Sequence, residues 1–517
     1  MNDETMSGDS KKKLNRLKEL DREAEILSGI IQLLSWDQET GMPEKAVAGR
    51  SEQISLLEGQ LHDITSGKEM GELIEALSGV QPEGEAKGET EGETEGRDTP
   101  FLRMIRRRYR RASALPRKLV TDFAREQSRS QAAWIKAREA SSFDAFRPHL
   151  ETLLTLNREK ADALGWEDDR YDALLDEFEP WMKSSTVDRL FDEMSDALVS
   201  LLGKIKEKKA PEDAFLFKAY DVEKQKRFSR QVAQAIGYDF SRGNISESAH
   251  PFTIRPGDDD VRITTRYNEG AFKTAIFGTI HETGHALYEQ GVAPELTGTI
   301  LGTGTSLGIH ESQSRTWENV IGRSRPFWTH FYPELQKLFP ENLSQVSLES
   351  YLGAINRVEP SLIRIEADEV TYGLHIILRF RLERKMLSGD LALNDLPGAW
   401  NDMSEELLGI RPGRDADGVL QDVHWSMGAM GYFPTYALGN LYGAQIFDVL
   451  QKEMPDLDEK LSSGEFLPIL SWLQDRIYRY GSSKTAEELV TGISGTSLSA
   501  KPFADYLEEK YTRLYGL

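Results

Sequence analysis

The chain has 517 residues, with 63 basic against 85 acidic side chains and hence a formal charge of −22. Such a field repels polyanions, so neither nucleic acid nor an anionic membrane is expected as a partner. Cysteine is absent, which excludes disulfides and thiolate metal sites, leaves His, Asp and Glu for any metal, and agrees with a cytoplasmic location.

The opening MNDETMSGDSKKKLNRLKEL lacks the apolar run of a signal peptide, and ILSGIIQLLSW is too short to span a bilayer. Leu14, Leu17, Leu20, Ala24 and Ile26 recur at helical spacing, predicting a helix over 11–34 and a second over about 45–65. Residues 80–98 are rich in Gly, Glu and Thr and nearly free of apolar side chains. They are expected as a disordered acidic loop inserted within a single domain spanning 1–517. The basic run FLRMIRRRYRRASALPRKL follows, read as a helix with a solvated basic face. Further helices are predicted over 118–139, 144–164 with Pro148 in its first turn, 185–208 and 222–236. PFTIR (251–255) and DVRITTRY (260–267) alternate around PGDD and predict a hairpin. Helices resume over 271–290, 309–337, 346–386, 395–407, 433–452, 464–478 and 501–513. The expected fold is mainly α, two lobes around a deep cleft, with a small sheet beside the 271–290 helix.

That helix carries IHETGH. His281 and His285 lie one turn apart on one face, where both imidazoles can meet one divalent ion. Glu282 is turned about 100° from His281, beside the ion rather than on it, where a carboxylate can take a proton from an acidified water. With nine histidines in the chain, chance supplies roughly 0.02 such patterns. A catalytic site needs a third ligand and an open position. After the glycine-rich turn GTGTSLG, with Ser306 placed to cap the next helix, Glu311 can return to the open side. Glu318, seven residues on and on the same face, is the competing ligand, or orients a histidine from behind. His310 is expected to point elsewhere.

Around these residues the chain resembles the M32 metallocarboxypeptidases, the thermostable carboxypeptidase family. SWDQETGMP (35–43), HPFTI (250–254), DVRIT (260–264), HETGH (281–285), HESQ (310–313), IRIEAD (363–368) and GVLQDVHW (418–425) follow its motifs in order. The resemblance implies a gluzincin-type fold and one divalent ion, zinc or cobalt, on His281, His285 and Glu311. It also implies a homodimer, and release of single C-terminal residues from peptides with broad specificity. It further favours His424 and Tyr436, with Tyr432 beside them, as groups that stabilise charge on the carbonyl oxygen. Arg262 or Arg364 would fork onto the substrate C-terminus, with Gln421 and Gln313 positioning the peptide backbone. Asp368 and Asp422 are candidate partners for a histidine or arginine. DVRIT is a candidate edge strand for the substrate to pair with. Because the hydrolytic machinery is shared, an oligopeptidase using the same site is the rival reading.

Overall fold

Leu14, Leu17, Leu20 and Ala24 form the buried stripe of a helix running from Gly8 to Thr40. Ile26 breaks the expected pattern and is 55% exposed, because two residues beyond Ala24 is about 200° round the axis. The computed structural model describes residues 8–78 and 99–517; the 80–98 segment lies outside them. Helices dominate the described residues, and no helix there is long and apolar enough to cross a membrane. Two hydrophobic cores result. A small one joins the first helix to the helices Lys68–Ser78 and Pro100–Ala114, through residues such as Leu17, Met70, Ile74, Phe101 and Ile105. A large one holds the rest, including the helix Phe272–Gln290.

The basic run does not present a solvated face. Arg108 bonds to Asp21 and Glu25 on the first helix, Arg107 and Arg111 to Asp176, and Arg103 to Glu488. These arginines fasten Pro100–Ala114 to its neighbours through charges that burial leaves only partly screened. Pro148 falls in the second turn of Phe143–Leu164 rather than the first.

Two of the long predicted helices are broken. The 309–337 segment forms Leu307–Arg315, a π-helical turn Thr316–Ile321, and then Arg325–Leu338, which Ser324 caps and Pro326 starts. The 346–386 segment forms Leu348–Ile355 and Glu369–Ser388, separated by the loop holding Pro360 and IRIEAD.

The predicted hairpin is present as β2 (Thr253–Gly257) and β3 (Asp260–Thr265), antiparallel with an irregularity between Ile254 and Gly257. A third strand, β1 (Ile245–Glu247), is too short to carry an alternating signal and pairs parallel to β3. The order β1-β3-β2 makes β3 central. DVRIT is therefore no edge strand: its neighbours already take both sets of main-chain groups, and it cannot pair with a substrate.

Candidate metal centre and its cleft

The helix Phe272–Gln290 is buried along most of its length and presents one face to a cavity of about 870 Å³. Lys273, Phe277, His281 and Glu282 line this cavity from the helix. Leu307–Arg315 returns antiparallel to it at very close range, and Gly284 makes the approach possible. A Cβ there would lie 2.6 Å from Ser314 Cα and 2.8 Å from the Gln313 carbonyl oxygen, well inside contact distance.

The approach delivers Glu311. Its Oε2 lies 3.7 Å from His281 Nε2 and 3.5 Å from His285 Nε2, and the three ligand atoms all fall within 4.8 Å of one another. Ligands about 2.0–2.1 Å from a tetrahedral zinc are separated by about 3.3 Å, so this set fits a divalent ion with little adjustment. The remaining polar atoms of the ligands are already occupied. His281 Nδ1 meets Glu318 Oε2 at 2.9 Å, His285 Nδ1 meets His310 Nδ1 at 2.8 Å, and Glu311 Oε1 accepts from Arg315 Nε at 2.7 Å. Only the two Nε2 atoms and Oε2 face the common point. Glu318 thus stands behind His281, held by Arg315 and Arg323, and not in the ligand set. His310 points elsewhere than the common point, as its place in the sequence predicts, and backs His285.

Charge is tightly balanced here. Burial would push His281 down, but Glu311 and Glu318 outweigh it and lift the imidazole to about 8. Burial pushes His285, which lacks a direct carboxylate behind it, down to about 4. Burial also opposes ionisation of Glu311, yet Arg315 and the two histidines hold it well below the usual carboxylate range. Glu282 is displaced upward by burial and by the nearby carboxylates. Its Oε2 receives the Thr253 hydroxyl at 2.6 Å, so β2 fixes its orientation at the cavity wall.

The remaining expected residues divide. Arg364 lines the cavity; its Nε and Nη2 donate to Asp422 Oδ1 at 2.9 and 2.8 Å, and its Nη1 to Tyr372 at 3.1 Å. Asp422 also receives Arg379 Nε at 2.7 Å. Two guanidinium groups therefore share one carboxylate, leaving the bonded trio with one uncompensated positive charge. Arg262 is not on the cavity wall; its fork is filled by Asp260 at 2.7 Å and its plane lies over Trp36. Gln421 also stands off the wall. It accepts from the Arg364 N–H at 2.8 Å and donates to the Leu362 and Asp417 carbonyls, holding the IRIEAD loop. Gln313 is fully buried and donates to Ser312. Asp368 caps Glu369–Ser388.

His424, Tyr432 and Tyr436 come together, with Tyr436 Oη 3.3 Å from His424 Nε2 and the two tyrosine rings 5.2 Å apart. Tyr436 packs against Arg364 and Tyr372 of the cavity wall, and both tyrosines stay partly exposed. Burial keeps both phenols protonated well past neutrality and pushes His424 down to about 4, so the phenols are donors and the imidazole is neutral.

An inward His-Glu-x-x-His helix, a glutamate from the next helix and a small sheet beside them define a metallopeptidase. Residues 16–511 match the model of the carboxypeptidase Taq (M32) metallopeptidase family. The chain is 42% identical over 514 residues to thermostable carboxypeptidase 1 of Thermus thermophilus, covering 97% of this chain and 98% of that one. It is 39% identical over 492 residues to carboxypeptidase 1 of Bacillus subtilis, covering 95% and 96%. The crystal structure of the M32 carboxypeptidase from Deinococcus radiodurans R1 superposes with a TM-score of 0.92 at 38% identity, over 98% of this chain and all of that one. The chain belongs to the M32 carboxypeptidase family, and it is accordingly a metallocarboxypeptidase.

Proposed function

We propose that the enzyme removes single residues from the free C-terminus of peptides with broad specificity, using one divalent ion, zinc or cobalt, held by His281, His285 and Glu311. When bound, such an ion supplies Lewis-acid polarisation of the scissile carbonyl and acidifies a water. Glu282, oriented by Thr253, takes the proton of the attacking water and returns it to the leaving amine. Tyr432 and Tyr436, with His424 behind them, donate hydrogen bonds as charge grows on the carbonyl oxygen. The observation that carries the exopeptidase reading is the Arg364 guanidinium on the cavity wall, only partly neutralised because its partner Asp422 is shared with the buried Arg379. A substrate carboxylate neutralises it, whereas an internal peptide bond brings no charge to do so. Arg364, not Arg262, is then the C-terminal anchor. Leu216, Phe217 and Phe277 share the cavity with the charged groups, which suits side chains of different character.

The homodimer fits the exposure of Ile26, Val47 and Leu56 on the first two helices, which a second copy would cover; sedimentation tests it. The activity is tested by mass spectrometry on one peptide with a free or an amidated C-terminus, with zinc or cobalt restored to stripped protein. Stepwise loss of C-terminal residues from the free form alone is expected. Equal cleavage of the amidated form would remove the anchor from the argument.

A further inference from the structure

His285 is the ligand imidazole with no carboxylate directly behind it. Its Nδ1 faces Nδ1 of His310 at 2.8 Å, and His310 Nε2 faces Glu289 Oε1 at 2.6 Å. Glu289 is itself buried and fixed. The same oxygen accepts from the Thr303 hydroxyl at 2.9 Å and the Gly304 N–H at 3.2 Å, while Arg255 Nε stands 3.5 Å from Oε2.

The order of protons along this chain follows from donor and acceptor capacity. An ionised carboxylate only accepts, so His310 carries its proton on Nε2. A neutral His310 then has a bare Nδ1, and the proton between the two Nδ1 atoms belongs to His285. That leaves His285 Nε2 with a free lone pair, 3.5 Å from Glu311 Oε2, where a metal must find it. The glycine-rich turn serves the same arrangement, since a Cβ on Gly304 would lie 2.6 Å from His310 Cδ2. We propose that Glu289 and His310 are positioning residues that set the tautomer and ring plane of His285 for metal binding, as Glu318 does directly for His281. The proposal rests on the metal centre described above.

The test is the zinc dissociation constant of the full-length enzyme, measured by competition with a chromophoric chelator. One zinc bound by the parent and none by Glu311→Ala establishes the centre itself; equal binding by those two sinks the centre, whatever the other variants do. With the centre established, His310→Leu removes the acceptor for His285 and weakens zinc about 10- to 100-fold. His310→Asn can still accept through its amide oxygen and recovers most of that loss. A leucine variant within threefold of the parent, or an asparagine variant as weak as the leucine one, overturns the proposal. Should His310→Leu fail to fold by circular dichroism, Glu289→Gln and Glu289→Leu make the same comparison one step further out. The glutamine keeps an acceptor for His310 and stays near the parent, while the leucine weakens zinc severalfold; equal constants for the two overturn the relay.

Discussion

Replacing Gly284 by alanine tests whether the ligand set depends on how closely two helices approach. The new methyl would sit 2.6 Å from Ser314 Cα, against an ordinary carbon contact of about 3.5–4.0 Å. The obstacle is backbone, so no side chain can swing aside, and the helices must separate by roughly 1 Å. Glu311 lies less than one turn from Ser314, and its Oε2 is only 3.5–3.7 Å from the two Nε2 atoms. Coordination distances tolerate about 0.2 Å, so a separation of that size takes the third ligand out of range. We expect zinc affinity to fall at least about tenfold, with about 1–3 kcal/mol of overpacking showing as a lowered thermal midpoint. Chelator competition measures the first and calorimetry the second. An alanine variant that is folded and binds zinc within a factor of two of the parent refutes the reasoning, because the clash would then have relaxed without moving Glu311.

Glu282→Gln keeps the shape of the side chain and its contact with Thr253 but cannot take a proton. Turnover should fall by about 10²–10⁴ while zinc content by metal analysis stays at one per chain; loss of zinc along with activity would make Glu282 a structural residue. Arg364→Lys keeps the charge but loses the bonds to Asp422 and Tyr372 that hold it at the cavity wall, so KM for a free-ended peptide should rise about tenfold or more with less change in kcat; an unchanged KM transfers the anchor elsewhere. Glu179 and Glu383 are fully buried and bonded to neutral donors, Ser306, Gly308 and Tyr442 for the first, Tyr171, Trp425 and Gly431 for the second. Burial lifts both to about 7. Between about pH 4.5 and 7 the folded state holds protons that the unfolded chain has released, so stability falls as pH rises through that window, by on the order of 3 kcal/mol per residue. Urea denaturation at pH 5 and pH 8 reads the difference; Glu383→Gln should reduce it, and an identical difference in that variant would show that Glu383 is not its source.

The candidate ligand set can be read from the sequence because its geometry is local. His281, His285 and Glu282 are fixed by one helix, and Glu311 needs only a return of ordinary length. Glu318 shows where local reasoning ends. Seven residues along an α-helix would bring it back to the Glu311 face, but the intervening chain passes into the π-helical turn Thr316–Ile321. The wider turn puts it beside His281 Nδ1 instead. His310 points elsewhere than the ion, as expected, but its partners could not be read from the sequence for a related reason. On its own helix it points away from Glu311, but the turn folds it back over the last turns of the preceding helix, where His285 and Glu289 are. Apolar periodicity likewise ran through 309–337 and 346–386 without a break, because the Ser324 cap and the IRIEAD loop interrupt the backbone and not the pattern.

The two arginines sharpen the point, since both sit in motifs and only one reaches the cleft. Arg262 lies two residues from Asp260 on the central strand, which places both side chains on the same face and pairs them locally. Its charge is spent within its own strand. Arg364 meets Asp422 across 58 residues of sequence, and Arg379 meets the same carboxylate from a different helix. No count along the chain shows that two cations share one anion; only the fold brings the three together. The same argument reconciles an enzyme of charge −22 with an anionic substrate end. Exposed charges are screened beyond about 8 Å at physiological salt, so the acidic surface governs polyanions that meet it broadly. A single carboxylate entering the cleft instead meets the Arg364 guanidinium on its wall, whose partner Asp422 is shared with the buried Arg379.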